Sequence, residues 1–99
     1  MRIELGIVIK ACREHCGYKQ IYVAHQLRIR ENTYANIENG RVDSTISKLF
    51  VMAGLFRTSA HQILAMAEEI FTEGGDPKWV QNAVKRIIKP IYIADSAAE

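Results

Sequence analysis

Between positions 30 and 36 the chain sets out Arg30, Glu31, Asn32 and Thr33, and then Asn36 one helical turn further on. At helical spacing these residues share one exposed face, unusually rich in short amide and hydroxyl groups. An amide offers a donor and an acceptor side by side, a guanidinium donates in a fork, and a carboxylate only accepts. Such a set exchanges hydrogen bonds with base edges or phosphate oxygens. Metal chemistry is poorly served: Cys12, His15 and Cys16 stand on about one and a half turns of one helical stretch, with no distant fourth ligand. Catalysis fares no better. His25 and His61 fall on exposed helical faces, and neither is joined to a nucleophile and an orienting acid. The expectation is therefore a non-enzyme with no cofactor and no metal.

A face of this kind needs helices to hold it out. Leu5, Val8, Ile9, Cys12 and Cys16 form the stripe of a first helix over about residues 3–16, and Gly17 stands where a left-handed cap is needed. A second helix over 20–27 buries Val23, Ala24 and Leu27, and a third over 31–38 buries Tyr34 and Ile37 before Asn39 and Gly40 end it. The turn at Arg28, Ile29 and Arg30 is so short that the two helices must cross steeply, the helix-turn-helix arrangement. Ala24 is the small residue that a close crossing requires. On periodicity alone, any αα-hairpin of a helical bundle fits equally well. Tyr22 is read as the more exposed tyrosine.

Further on, Ile46, Leu49, Met52, Ala53 and Phe56 recur at core spacing in a fourth helix, capped by Ser44 or Thr45. Ser59 to Gln62 has the form of a capping box opening a fifth helix that carries Ile63, Leu64, Ala67 and Ile70. Glu73, Gly74 and Gly75 interrupt the pattern. Asp76 and Pro77 then supply an N-cap and a first-turn proline for a sixth helix to about Lys89, where Pro90 stops it. Ile91, Tyr92 and Ile93 are strand-forming types, and 94–99 reads as a fraying tail.

The 99 residues are enough for one core and too few for a multidomain enzyme, while 48% apolar and 24% charged content is that of a folding chain. No apolar run reaches the ~18 residues of a membrane span, and the start lacks the layout of a secretory signal, so a cytoplasmic protein without membrane contact is expected. Cys12 and Cys16, four apart on one helix, are badly placed for a disulfide and are read as reduced thiols. The formal charge of +2 decides little. Its distribution says more: residues 19–41 hold Lys19, Arg28, Arg30 and Arg41 against Glu31 and Glu38.

Taken together, Leu5-Gly6, Arg13, Gly17, Gln20, Val23-Ala24, Leu27, Ile29, Ile37 to Gly40, Leu49, Ala53 and Ser59 to Leu64 carry a resemblance. Over about residues 3–69 the chain resembles the helix-turn-helix domain of phage repressors, Cro proteins and xenobiotic-response-element regulators. The resemblance implies an all-α fold: a five-helix, lambda-repressor-like DNA-binding bundle over 1–72, with a C-terminal helical extension over 73–99. It implies that Lys19, Gln20, Asn39 and Arg41 position double-stranded DNA through phosphates, and that Arg30, Glu31, Asn32, Thr33 and Asn36 face bases in the major groove. It also implies a partly buried ion pair between Arg13 and Glu38. Two positions depart from the pattern. Arg28 stands where the family usually has a turn glycine, which implies either a strained turn or a different one, and Glu31 turns a negative charge toward the groove.

A single recognition helix reads only a few base pairs, so the implied transcriptional regulator, most often a repressor, is expected to act as a homodimer on a palindromic site. The sixth helix carries a broad apolar face that either folds back on its own domain or meets a second copy. Trp79, Val80, Val84, Ile87 and Ile88 are the dimerisation residues expected, within a stretch 77–93. The alternative is an antitoxin-like module whose last helix grips a protein partner. A basic amphipathic helix lying on a membrane is a more distant reading.

Overall fold

The computed structural model describes residues 1–90, and they are helical as the periodicity requires. The elements are α1 (Arg2–Cys16), α2 (Gln20–Leu27), α3 (Glu31–Glu38), α4 (Ile46–Leu55), α5 (Ala60–Glu73) and α6 (Pro77–Ile87). Among the described residues there is no strand. The strand-forming residues 91–93 and the tail expected to fray lie outside them. No single helix among the described residues is long and apolar enough to cross a membrane.

α1 is the axis of the molecule, packing against α3, α5 and α6, while α2 lies on α3 and α4, and α4 on α5. The core gathers Val8, Ile9 and Cys12 of α1 with Val23, Tyr34, Leu49, Met52, Phe56 and Ile63, all fully or almost fully buried. Burying each large side chain contributes about 1.5–3 kcal/mol, so this cluster is what makes the short helices stable. Two expected core residues are not in it. Ile46 is 63% exposed and Leu64 38%. Ile46 opens α4, where Leu49, Met52 and Ala53 already fill the inner face, and in α5 the inner positions are Ile63, Met66, Ala67 and Ile70.

The starts of α4 and α5 are fastened by side chains. Thr45, not Ser44, caps α4 by accepting from the Lys48 amide at 3.1 Å. Ser59 accepts from the Gln62 amide at 3.1 Å, which is one arm of the expected capping box. The Gln62 side chain instead accepts from the Thr58 hydroxyl at 2.8 Å. At α6, Pro77 occupies the first turn, but the Asp76 side chain makes no capping bond.

Four helices end in the same way. After α1, Gly17 donates to the Glu14 carbonyl and Tyr18 to that of Arg13; after α2, Arg28 to His25 and Ile29 to Ala24; after α3, Gly40 to Ile37 and Arg41 to Asn36; after α4, Arg57 to Gly54 and Thr58 to Ala53. This paired closure turns the chain through the left-handed region at residues 17, 28, 40 and 57, with φ of 78°, 59°, 75° and 60°. The first and third are glycines.

α6 takes the fold-back arrangement. Val80, Ala83 and Val84 sit at adjacent-turn spacing on the face turned into the molecule and are buried, as is Ile88, with Trp79 and Ile87 half-buried beside them. Of the five side chains expected at a dimer contact, Val80, Val84 and Ile88 are taken up by the protomer itself, while Trp79 and Ile87 keep part of their surface. The buried three close the core where α6 packs on α1.

Candidate nucleic-acid interface

α2 and α3 are joined by Arg28, Ile29 and Arg30, with Arg28 at φ 59°, ψ 41°. Of the two alternatives for the missing glycine, the strained turn is the one adopted. An L-residue in this region costs about 1–2 kcal/mol, tolerated here because the double hydrogen bond to α2 and the half-buried Ile29 fix the chain on both sides. The crossing depends on small residues. Ala24 is buried at the α2–α3 contact. Gly6 of α1 lies so near the end of α3 that an added Cβ would stand 2.4 Å from the Glu38 carbonyl oxygen and 2.6 Å from that of Ile37.

α3 is divided lengthwise. Tyr34, Ile37 and Glu38 face inward, Ala35 and Asn36 are half-buried, and Glu31, Asn32 and Thr33 are exposed with Arg30 just before them. Glu31 in the first turn also lies at the positive end of the α3 dipole, a favourable place for a carboxylate. Past the helix, the Arg41 and Val42 amides both return to the Asn36 carbonyl, at 2.9 and 3.4 Å. That loop holds Asn39 and Arg41, both exposed, beside the end of α3. Arg2 braces the loop by donating from Nε to the Gly40 carbonyl at 2.8 Å.

Glu38 anchors this arrangement although it is only 5% exposed. Its Oε2 accepts from Arg13 Nε at 2.6 Å and from the Tyr34 hydroxyl, and its Oε1 from Arg13 Nη2 at 3.1 Å and Gln20 Nε2 at 2.9 Å. The third arm of the guanidinium, Nη1, donates to the Tyr18 carbonyl at 2.9 Å, just past the end of α1. One carboxylate thus ties α1, the first residue of α2 and the last of α3, with both oxygens satisfied. A buried charge is tolerable only when paired and hydrogen-bonded in this way. The bond to Glu38 raises the Arg13 pKa above its already high usual value. Burial, followed by the same carboxylate, pushes the Tyr34 hydroxyl well above the tyrosine range, so it remains a donor.

The structure brings most of the candidate residues to one side. Lys19 is exposed at the N-cap of α2, and Gln20 is half-buried, sharing a shallow cleft with Glu31, Asn32 and Ala35. Arg30, Thr33 and Asn36 continue along α3, and Asn39 and Arg41 follow it. The α6 residues are not part of this surface. The Gln20 and Tyr34 arms of the Glu38 junction were not foreseen from sequence. Tyr34 was legible, four residues before Glu38 on the same helix; Gln20 was not, because its approach depends on how α2 crosses α3.

Nothing titrates near neutrality in the buried thiols. Burial, with a smaller contribution from Cys16, pushes Cys12 up to about 12. Both are free, Cys12 buried and Cys16 half-buried.

Compared with known proteins, the chain matches the family model described as "Helix-turn-helix" over residues 9–63, which runs from mid-α1 into α5 and takes in the whole of α2, the turn and α3. No curated protein and no solved structure matches it.

Proposed function

This chain belongs to the Cro/C1-type helix-turn-helix family and is a regulator that binds double-stranded DNA, and from that premise we propose that it reads a two-fold-symmetric operator as a homodimer and acts as a repressor. The observation that carries this reading is the outward set of α3. Glu31, Asn32 and Thr33 stand free of the protomer while Tyr34, Ile37 and Glu38 fasten the other side of the same helix.

In the proposed complex α3 lies in the major groove. Asn32 or Asn36 pairs bidentately with an adenine edge, Glu31 accepts from a cytosine amine, and Thr33 and Arg30 reach bases or adjoining backbone. Lys19 and Gln20 take a phosphate at the start of α2, where the helix dipole favours negative charge. Gln20 commits one amide N–H to Glu38 and keeps the second for that phosphate. Asn39 and Arg41 hold the strand beyond the end of α3.

Glu38 does not repel the duplex, because Arg13 compensates its charge within the fold. The 1–72 segment is proposed as the DNA-binding unit and 73–99 as an extension that α6 docks to it. The second copy must be met by side chains other than the buried Val80, Val84 and Ile88.

Selection of bound duplexes from a random pool at stated salt tests the reading. A consensus with two-fold symmetry, its halves about one helical turn apart, is the expected result. An asymmetric consensus rejects the homodimer, and a pool that never enriches rejects sequence-specific reading altogether.

A further inference from the structure

α6 has two chemically opposite faces. One is sunk into the core through Val80, Ala83 and Val84, and the other presents Lys78, Lys85 and Arg86, with Lys89 just past the helix end, all four exposed. No aspartate or glutamate lies between Pro77 and Pro90. The ion pairs found among the described residues use none of these four cations. Glu14 of α1 faces Lys85 across a small cleft without pairing with it. Lys78 and Lys85 stand two turns apart and therefore nearly in line.

We propose that this row is a second backbone-contact surface, taking the phosphates of the duplex that flanks the segment read by α3. The proposal rests on the DNA-reading geometry of the preceding section and extends it. Three observations favour it. The start of α6 adjoins the proposed interface: Gly75, Pro77 and Val80 line one cleft with Asn39 and Lys10, so the row begins beside a group assigned to phosphate. The row is carried rigidly, since its far end is locked by reciprocal bonds, Lys89 N–H to the Arg57 carbonyl and Arg57 Nε to the Lys89 carbonyl, each 2.9 Å. From Lys78 to Lys89 it extends roughly 15 Å at helical rise, the axial length of about four phosphates of one strand. An anionic bilayer is the weaker occupant. Basic amphipathic helices bind bilayers by inserting their apolar face, and in α6 that face is already inside the protein.

The test uses the full chain and its K78Q/K85Q/R86Q/K89Q variant, whose altered positions are all exposed, so that matching thermal melts establish matching folds. Each is titrated at several salt concentrations with two duplexes: the pool-selected consensus alone, and the consensus lengthened by one helical turn, about 10 base pairs, on each side. The wild type is expected to show the steeper salt dependence on the long duplex. The variant is expected to keep the same consensus and its affinity for the short duplex, and to lose about 0.9 of the log K against log salt slope per lost contact on the long one, roughly 2–4 per protomer and twice that for the bound dimer. A K78R/K85R/K89R variant should keep the wild-type slope. Slopes that do not change with duplex length or with the four substitutions overturn the proposal and leave the α3 reading standing. Failure of the wild type to select any duplex overturns the α3 reading itself. Binding of the wild type but not the variant to phosphatidylserine vesicles, with DNA slopes unchanged, assigns the row to a membrane and also overturns the proposal.

Discussion

Arg13 and Glu38 meet as two forks, Nε and Nη2 of the guanidinium each donating to a different carboxylate oxygen across a separation of 25 residues. Removing either partner leaves the other charged, buried and incompletely solvated. Arg13→Ala and Glu38→Ala are each expected to cost about 3 kcal/mol in urea unfolding. The double variant should cost less than the sum, because it leaves no orphaned charge. Strict additivity would show that the two residues do not act as a pair.

Gly6 should not tolerate even a methyl group. Alanine is the better helix former by about 1 kcal/mol, yet the added carbon would stand within contact distance of two α3 carbonyls. Overpacking of this kind costs about 1–3 kcal/mol, and its relief requires α3 to move. Gly6→Ala is therefore expected to lower the melting temperature and weaken operator binding together. A variant that melts higher and binds normally contradicts the close approach.

Arg28 and Arg57 are left-handed positions with side chains, so glycine relieves them. Allowing for the greater freedom that glycine gives the unfolded chain, Arg28→Gly and Arg57→Gly should each stabilise by up to about 1 kcal/mol. Arg57→Gly also removes the Nε bond to Lys89 and should gain less. Chemical denaturation of both variants measures the difference.

The thiols divide by burial. Cys12 in the folded protein has its pKa up at about 12, against about 8.5 in an unfolded chain. A raised acid pKa contributes stability that is complete below the unfolded value and is lost as pH rises toward the folded one, so stability should fall between about pH 9 and pH 12. At pH 8 an alkylating reagent should label half-buried Cys16 first, and Cys12 only at the rate of unfolding. Equal labelling of both in the native protein contradicts the burial of Cys12.

Positioning and reading should separate by salt dependence and by sequence preference. Arg41→Ala is expected to weaken all duplexes alike and to reduce the salt slope by about 1 per protomer, whereas Asn36→Ala should relax preference at one base pair of each half-site by about 1–3 kcal/mol. Uniform loss in both variants contradicts the division of roles.

The helices were legible in the sequence because their buried residues recur at one period, and Gly17, Thr45, Ser59 and Pro77 mark their ends. What the sequence left open were choices between faces. The apolar stripe of α6 suits a second copy or α1 equally well, and only the space beside α1 decides. Ile46 falls in phase with Leu49 and Ala53 but lies on the first turn of α4, beyond the reach of the core. At the candidate interface, the pairing of Arg13 with Glu38 was legible through the family resemblance, and the outward residues of α3 through their spacing. The Gln20 bond and the Gly6 contact were not, since both arise from the angle at which helices distant in sequence cross.

The lengthwise division of α3 separates foldability from target choice within eight residues. Tyr34, Ile37 and Glu38 hold the scaffold, and Glu31, Asn32 and Thr33 make no hydrogen bond or ion pair with other side chains among the described residues. Exchanging those three leaves the junction untouched, so this scaffold is suited to retargeting: new operator preferences can be drawn from a small library without first repairing a broken protein.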